Sequence, residues 1–190
     1  MLYNFIEQII QIDVDFFLFL NHFHNHFFDV IMTFVSGKYS WIPLYLFILF
    51  LILRKFKLKN TLILFFSIIL LIALSDQTSV FLFKFTFLRY RPCFNPEISN
   101  SVHVVNIPGG KYGFISSHAS NAFALALFTN LILKNKYYSI FIFFWASLVA
   151  YSRIYLGVHY PLDILSGALW GMFLACLFFI LHKKYLVKKE

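Results

Sequence analysis

"TLILFFSIILLIALSDQTSVF", residues 61–81, decides the architecture. As a helix it is about 31 Å long at 1.5 Å per residue, the thickness of a bilayer's hydrocarbon core. Its only charged residue is Asp76, so it is apolar on every side and fits lipid better than the edge of a soluble core. Ser117–Leu133, Tyr138–Tyr155 and Pro161–Leu181 read the same way. Trp41–Leu53 is a shorter fifth segment, below the ~17–25 residues a span needs unless Lys38–Ser40 extend it. Composition agrees: 61% of residues are hydrophobic and 13% charged, against roughly 45–50% and about 25% in soluble domains. The expected fold is all-α: one polytopic transmembrane bundle over residues 1–190, with five to six membrane helices.

The first 36 residues are less regular. "NFIEQIIQIDVDFFLFL" (4–20) carries Glu7, Asp13 and Asp15 on an apolar pattern, which suits a helix lying in the membrane interface. Asn21, Asn25 and His26 break it from "FFDVIMTFV", which is too short to span alone. A re-entrant or short segment is expected there, with a sixth span as the alternative. The start of the chain has neither the basic region nor the small-residue cleavage site of a signal peptide, so no removal is expected.

Charge orients the bundle. "RKFKLKN" (54–60), "KNK" (134–136) and the tail "HKKYLVKKE" (182–190) hold ten of the 16 basic residues. They fall at alternate ends of successive helices, so one topology puts all of them on one side, which the positive-inside rule makes cytoplasmic. The net charge of +8 then reads as membrane bracketing, with no nucleic acid implied. The other side receives the long 84–116 loop, and loops of that length are usually functional. Cys93 and Cys176 lie in a loop and an apolar helix, so no disulfide is expected.

Three polar stretches converge on that outer side: "KFTFLRYRP" (84–92), "ISSHASN" (115–121) and "SRIYLGVHYPLD" (152–163). Charged groups inside membrane segments are rare and usually functional. Together they supply cations suited to phosphate oxygens and a helix N-terminus that favours an anion. Ser116 and Ser117 are natural N-caps for that helix. Pro161 starts the next helix and sets Asp163 in its first turn, four residues after His159, where a carboxylate orients an imidazole for nucleophilic attack. His118 has no such partner in sequence and suits an acid for the leaving oxygen.

These stretches resemble the signature of the type-2 phosphatidic acid phosphatase superfamily. Its first part, Lys, six residues, Arg-Pro, matches Lys84 to Arg91-Pro92. Its third, Ser-Arg, five residues, His, three residues, Asp, matches Ser152-Arg153, His159 and Asp163. Its second, Pro-Ser-Gly-His, is kept at Ser116 and His118 but has Ile115 for Pro and Ser117 for Gly. The resemblance implies hydrolysis without a metal or other cofactor, through a phosphohistidine on His159. It implies that Asp163 supports the nucleophile and His118 protonates the leaving group. Lys84, Arg91, Arg153, Ser116 and the Ser117 N–H would hold the phosphate.

It further implies a lipid phosphate as substrate at the outer face of a bacterial cytoplasmic membrane, with membrane lipids as partners and no nucleic acid. Undecaprenyl pyrophosphate is placed first, ahead of phosphatidylglycerophosphate, phosphatidic acid and lipid A 1-phosphate. A phosphotransferase is the rival enzyme class, and a binder that has lost catalysis is the non-enzymatic one. The motifs read neither the lipid tail nor the oligomeric state.

Three features sit outside the signature. Asp76 lies at outer-leaflet depth and needs a partner, either a site cation or a polar neighbour such as Ser79. "HFHNH" (22–26) spaces its histidines around a helix and reads as an interfacial turn, with no metal site. Residues 93–113 read as a partly mobile flap over the headgroup, with Lys111 placed to meet a second phosphate.

Overall fold

The computed structural model describes residues 2–186, with side chains described from 5 to 183. Lys188 and Lys189 of the basic tail lie outside the described residues. The elements are α1 (Leu2–His22), α2 (His26–Ser36), α3 (Ile42–Lys55), α4 (Leu58–Thr78), α5 (Phe85–Phe87), α6 (Ser117–Leu133), α7 (Lys136–Tyr155) and α8 (Pro161–Leu186). A π-helical turn, Ser79–Lys84, joins α4 to α5. The residues 61–81 that defined the first span are therefore the middle of a continuous helical run, Leu58–Phe87. Helical hydrogen bonding outlasts the apolar run, and the chain leaves it only at Leu88, in the left-handed region at φ 48°. The outer loop correspondingly starts at Leu88, later than Lys84.

α6 is the centre of the bundle, packed on α8, α7 and α4. Its residues suit that position: Ala119, Ala122, Ala124 and Ala126 are buried, and small side chains let helices approach closely in a membrane. At Gly167 of α8, an added Cβ would lie 2.5 Å from the Ser116 carbonyl oxygen. Between α4 and α6, the Ser75 and Ser120 hydroxyls bond at 2.6 Å. Around this core, large apolar side chains such as Phe66, Ile69, Phe144, Leu169 and Phe173 face outward. A contiguous apolar exterior of this kind matches lipid.

Among the described residues, three helical runs are long and apolar enough to cross a membrane: Leu58–Phe87, Lys136–Tyr155 and Pro161–Lys183. α2 and the Tyr39–Lys55 run pass together, bent by 74° at Gly37–Lys38. The backward extension expected for Trp41–Leu53 is thus present as a 3-10 turn, Tyr39–Trp41. α6, counted as a span from sequence, is 17 residues long, the lower end of the ~17–25 range.

The basic connections are structured. Lys134 ends α6 in the left-handed region, and Asn135 caps α7 by accepting from the Tyr138 N–H. Lys55 Nζ donates to the last carbonyls of α6, Ile132 at 3.1 Å and Leu133 at 2.5 Å. A cation there complements the helix's negative end.

α1 is docked as well as apolar. Asp13, Phe17 and Asn21, four residues apart, are its buried stripe, while Glu7 and Asp15 are exposed. Asn21 Nδ2 donates to the carbonyls of Ile154 and Tyr155 at the end of α7. The expected break holds: α1 ends at His22, and Asn25 caps α2 by accepting from Phe28 N–H. "HFHNH" is part of this dock. His24 stacks on His103 with ring centroids 3.7 Å apart, and His103 Nε2 lies 2.8 Å from Asp29, which also accepts from the Tyr155 hydroxyl.

Candidate active site

Three chain breaks meet above the centre of the bundle: the π turn before Leu88, the start of α6, and the α7–α8 connection. Each is shaped by its own sequence. Gly157, at φ +76°, turns the chain at the end of α7, where left-handed backbone suits glycine. Tyr160 and Pro161 then open α8. Asp163 reaches back to the Tyr160 N–H at 3.1 Å, as an acidic third residue does in a capping box.

His159 is almost wholly buried beside it. Its Nδ1 is 3.4 Å from Asp163 Oδ2, a long hydrogen bond, and its Nε2 is 2.8 Å from Arg91 Nη1. Arginine only donates, so Nε2 accepts and the ring proton belongs on Nδ1, towards the carboxylate. Burial, reinforced by the cations of Arg91, Arg153 and Lys84 and by His118, holds the His159 pKa well below its ordinary value. The ring is a neutral imidazole with its Nε2 lone pair turned towards the cations, as a nucleophile requires.

Arg91 is held by the Gly110 and Val158 carbonyls at 2.8 and 3.0 Å. Lys84 Nζ donates to Ser117 Oγ at 2.8 Å, and Ser117 also bonds Ser79 at 2.5 Å. Ser116 is the N-cap of α6, accepting from the Ala119 N–H. Arg153 donates through Nη1 to Ser36 at the α2–α3 bend, and its buried Nε has no partner among the described residues. The structure therefore brings Lys84, Arg91, Arg153, Ser116, Ser117, His118, His159 and Asp163 to one end of the bundle. Arrayed cations and free helix N–H groups around a neutral imidazole can bind a phosphate and stabilise charge developing on it.

Of the two alternatives for Asp76 the polar neighbour holds: no site cation pairs with it among the described residues, and its carboxylate accepts from Asn121 Nδ2 at 3.3 Å. Ser79 does bond residue 76, but at the backbone carbonyl, the usual back-bond of a helical hydroxyl to a carbonyl one turn earlier. The flap is tied at its C-terminal end. Arg91 N–H donates to Lys111 O, Gly113 N–H donates to Arg89 O, and Tyr90 and Tyr112 form an antiparallel bridge. Lys111 thus presents its carbonyl to the Arg91 segment, while the residue is exposed.

Three residues of the site escaped the sequence reading. Arg89 donates to Asp163 Oδ1 at 2.9 Å and to Asp13 Oδ2 at 2.7 Å, and lies 4.1 Å over the Tyr160 ring. Asp13 Oδ1 in turn accepts the Leu162 N–H at 2.8 Å, one of the free donors at the start of α8. Gly113 passes so close that an added Cβ would sit 3.0 Å from Asp163 Oδ2 and 3.1 Å from Arg91 Cγ. The one signal available was positional: Asp13 shares a helix face with Phe17 and Asn21.

A cavity of about 680 Å³ opens beside His118. Along α4 it runs from Phe65 to Gln77, about 18 Å at 1.5 Å per residue. Most of its wall is apolar, including Ile52, Leu125 and Trp145, and its polar members, among them Lys38, Asp76 and Asn121, lie at the His118 end.

The geometry has counterparts. The model of the PAP2 superfamily matches residues 60–186. A lipid A 4'-phosphatase of Bacteroides thetaiotaomicron is 41% identical over 182 residues, covering 94% of this chain and 80% of that protein. An undecaprenyl-diphosphatase of Sulfolobus acidocaldarius is 30% identical over 174 residues, covering 90% and 79%. The crystal structure of Aquifex aeolicus LpxE superposes with a TM-score of 0.64 at 27% identity, covering 90% of this chain and 94% of that one. The resemblance carried by the three polar stretches is thereby a relationship along most of the chain, which belongs to the PAP2 superfamily of phosphatases.

Proposed function

We propose that the protein removes the phosphate from a lipid A-type phosphomonoester at the outer face of a bacterial cytoplasmic membrane, through a phosphohistidine. The observation that carries this is the Asp163-backed His159 facing Arg91, with His118 of the same cluster lining an apolar cavity. The cavity suits hydrocarbon chains, and the cations suit the phosphate.

In this reading Lys84, Arg91, Arg153 and the first turn of α6 take the phosphate oxygens. Arg91 moves from His159 Nε2 to the incoming anion and frees the lone pair. Nε2 forms a bond to phosphorus as the ester oxygen leaves, and His118 gives that oxygen its proton. Water then attacks the phosphohistidine, with His118 taking the water's proton, and inorganic phosphate departs. The three cations offset the negative charge of the transferring phosphoryl group, the task a metal ion performs in other phosphoryl-transfer sites. The outward orientation is supported by Lys55 and Lys134, which cluster at the end of the bundle opposite the site.

Similarity to a lipid A 4'-phosphatase moves that substrate class ahead of undecaprenyl pyrophosphate. The pyrophosphate is kept as a second reading because of the 30% identical undecaprenyl-diphosphatase. The test is phosphate release from purified lipid A, undecaprenyl pyrophosphate, phosphatidylglycerophosphate and phosphatidic acid, with chelator present and with a competing alcohol to expose transfer. Rapid-quench labelling of wild type, His159→Ala and His118→Ala accompanies it. A phosphoenzyme is expected in the wild type, absent in His159→Ala, and slow to form and break in His118→Ala. Labelling that persists in His159→Ala refutes the assignment.

A further inference from the structure

Apolar chains explain most of the cavity wall but not its polar end. His118 and Asn121 are three residues apart on α6, and both line it, so they share a helix face. Asp76 faces them from α4. An amide beside a carboxylate must present its NH₂ to it, because the carboxylate only accepts. Asn121 does so, at 3.3 Å, and its Oδ1 is thereby turned away. That oxygen is buried with no hydrogen-bond partner among the described residues. Asp76 is half-buried, and its second carboxylate oxygen has no donor among the described residues. One buried acceptor, Asn121 Oδ1, and one carboxylate oxygen of Asp76 therefore stand without donors near His118, at the polar end of the cavity.

A buried acceptor without a donor is costly, and a ligand that supplies the donor removes the cost. A polyprenyl chain supplies none, and the ester carbonyls of a diacylglycerol are themselves acceptors. A hydroxyl or an amide N–H is what fits.

We propose that Asp76 and Asn121 form a subsite for the leaving alcohol, accepting hydrogen bonds from hydroxyl or amide N–H groups next to the phosphate-bearing carbon. This rests on the reading in which His118 meets the leaving oxygen, since that places the alcohol's own carbons against Asn121 and Asp76. The enzyme then selects the alcohol by its donors as well as by its chains. Acylated amino sugars carry such donors, and so does a glycerol headgroup with a free hydroxyl.

The test uses full-length enzyme in detergent and substrate pairs differing by one group. The pairs are an acylated glucosamine phosphate with its analogue lacking the neighbouring donor, and phosphatidylglycerophosphate with its analogue lacking the glycerol hydroxyl. The readout is the ratio of kcat/KM within a pair. In the wild type at least one pair should show a ratio of about tenfold or more, since a hydrogen bond to a charged or buried acceptor discriminates at that level. The pair that shows it identifies the source of the donors. Asp76→Asn and Asn121→Leu should each bring that ratio towards one. Asp76→Asn keeps a side chain able to bond Asn121, so a lost ratio with retained thermal stability separates recognition from a helix-to-helix tie. Wild-type ratios near one for both pairs overturn the subsite without any variant, as do wild-type ratios retained in folded variants. Hydrolysis of phosphatidic acid with neither donor-bearing lipid accepted overturns it too. Failure to hydrolyse any lipid phosphate would instead refute the proposed function.

Discussion

Arg89→Met tests whether the nucleophile is held from outside the three polar stretches. The Arg89 side chain is 20% exposed, whereas Asp13 and Asp163 are 2% and 0% exposed. One guanidinium thus faces two carboxylates that have almost no water of their own. Breaking a fully buried pair costs about 3–5 kcal/mol, chiefly through the charge left behind. Arg89 is partly hydrated, so roughly 2–4 kcal/mol is expected here. Part of that falls on catalysis. Asp163 loses its shortest side-chain bond and keeps the long contact to His159, so the imidazole's orientation should loosen. A kcat loss of about 10- to 100-fold corresponds to roughly 1.4–2.7 kcal/mol at 1.36 kcal/mol per decade. KM should move less than about threefold, the pattern of an interaction felt only in the transition state. Asp13→Asn keeps an acceptor for the Leu162 N–H and removes one charge, so about a tenfold fall is expected. Since both residues act on Asp163, the double variant should cost no more than Arg89→Met alone. The assay is steady-state phosphate release with phosphoenzyme quenching, and thermal melts to confirm folding. Additive losses, or a rise in KM at constant kcat, would show that Arg89 binds phosphate directly and would refute the positioning argument.

Gly113→Ala puts a methyl group 3.0 Å from Asp163 Oδ2, so kcat should fall about tenfold with little change in the melt; unchanged turnover would mean that the 111–113 segment yields freely. The depressed pKa of His159 carries a definite sign. The ring is neutral above its pKa and is lost as a nucleophile below it, so the loss of kcat/KM caused by His159 protonation should begin only below the ordinary histidine value of 6.5, while protonation of the donor His118 acts in the opposite direction. An acid limb at or above 6.5 contradicts the buried, cation-flanked ring. For orientation, cysteines replacing Glu97 and Lys134 in a variant lacking Cys93 and Cys176 are both at exposed positions. An impermeant thiol reagent on intact cells should label position 97 only, and the reverse pattern inverts the protein. Lys111→Ala should reduce use of undecaprenyl pyrophosphate more than use of phosphatidic acid if Lys111 meets a second phosphate, and equal losses exclude that role.

The apolar runs, the basic brackets and the three polar stretches were legible because each depends on local rules. A run of ~20 apolar residues has few alternatives to a membrane helix. Pro161 places Asp163 in a first turn wherever that helix packs, and Ser116 caps α6 through a neighbour three residues away. Even the break at Asn25 is local, closed by Phe28.

What remained hidden joins residues far apart in the chain. Asp13 and Leu162 are separated by 149 positions and Arg89 and Asp163 by 74, and no periodicity or spacing links such pairs. Asp13 looked like one of three interfacial acids until the docking of α1 buried it and left Glu7 and Asp15 in the open. Asp76 was legible as a charge needing a partner, but Asn121 was not, because which face of α4 meets α6 depends on how the two helices pack. The sequence by itself determined a membrane bundle with cations and histidines gathered at one end, because apolarity, caps and motif spacing act over a few turns of chain. Only the tertiary structure decided that α1 caps α8 and that Arg89 holds Asp163. It alone placed unsatisfied acceptors beside His118, because burial and hydrogen-bond satisfaction are set by neighbours in space.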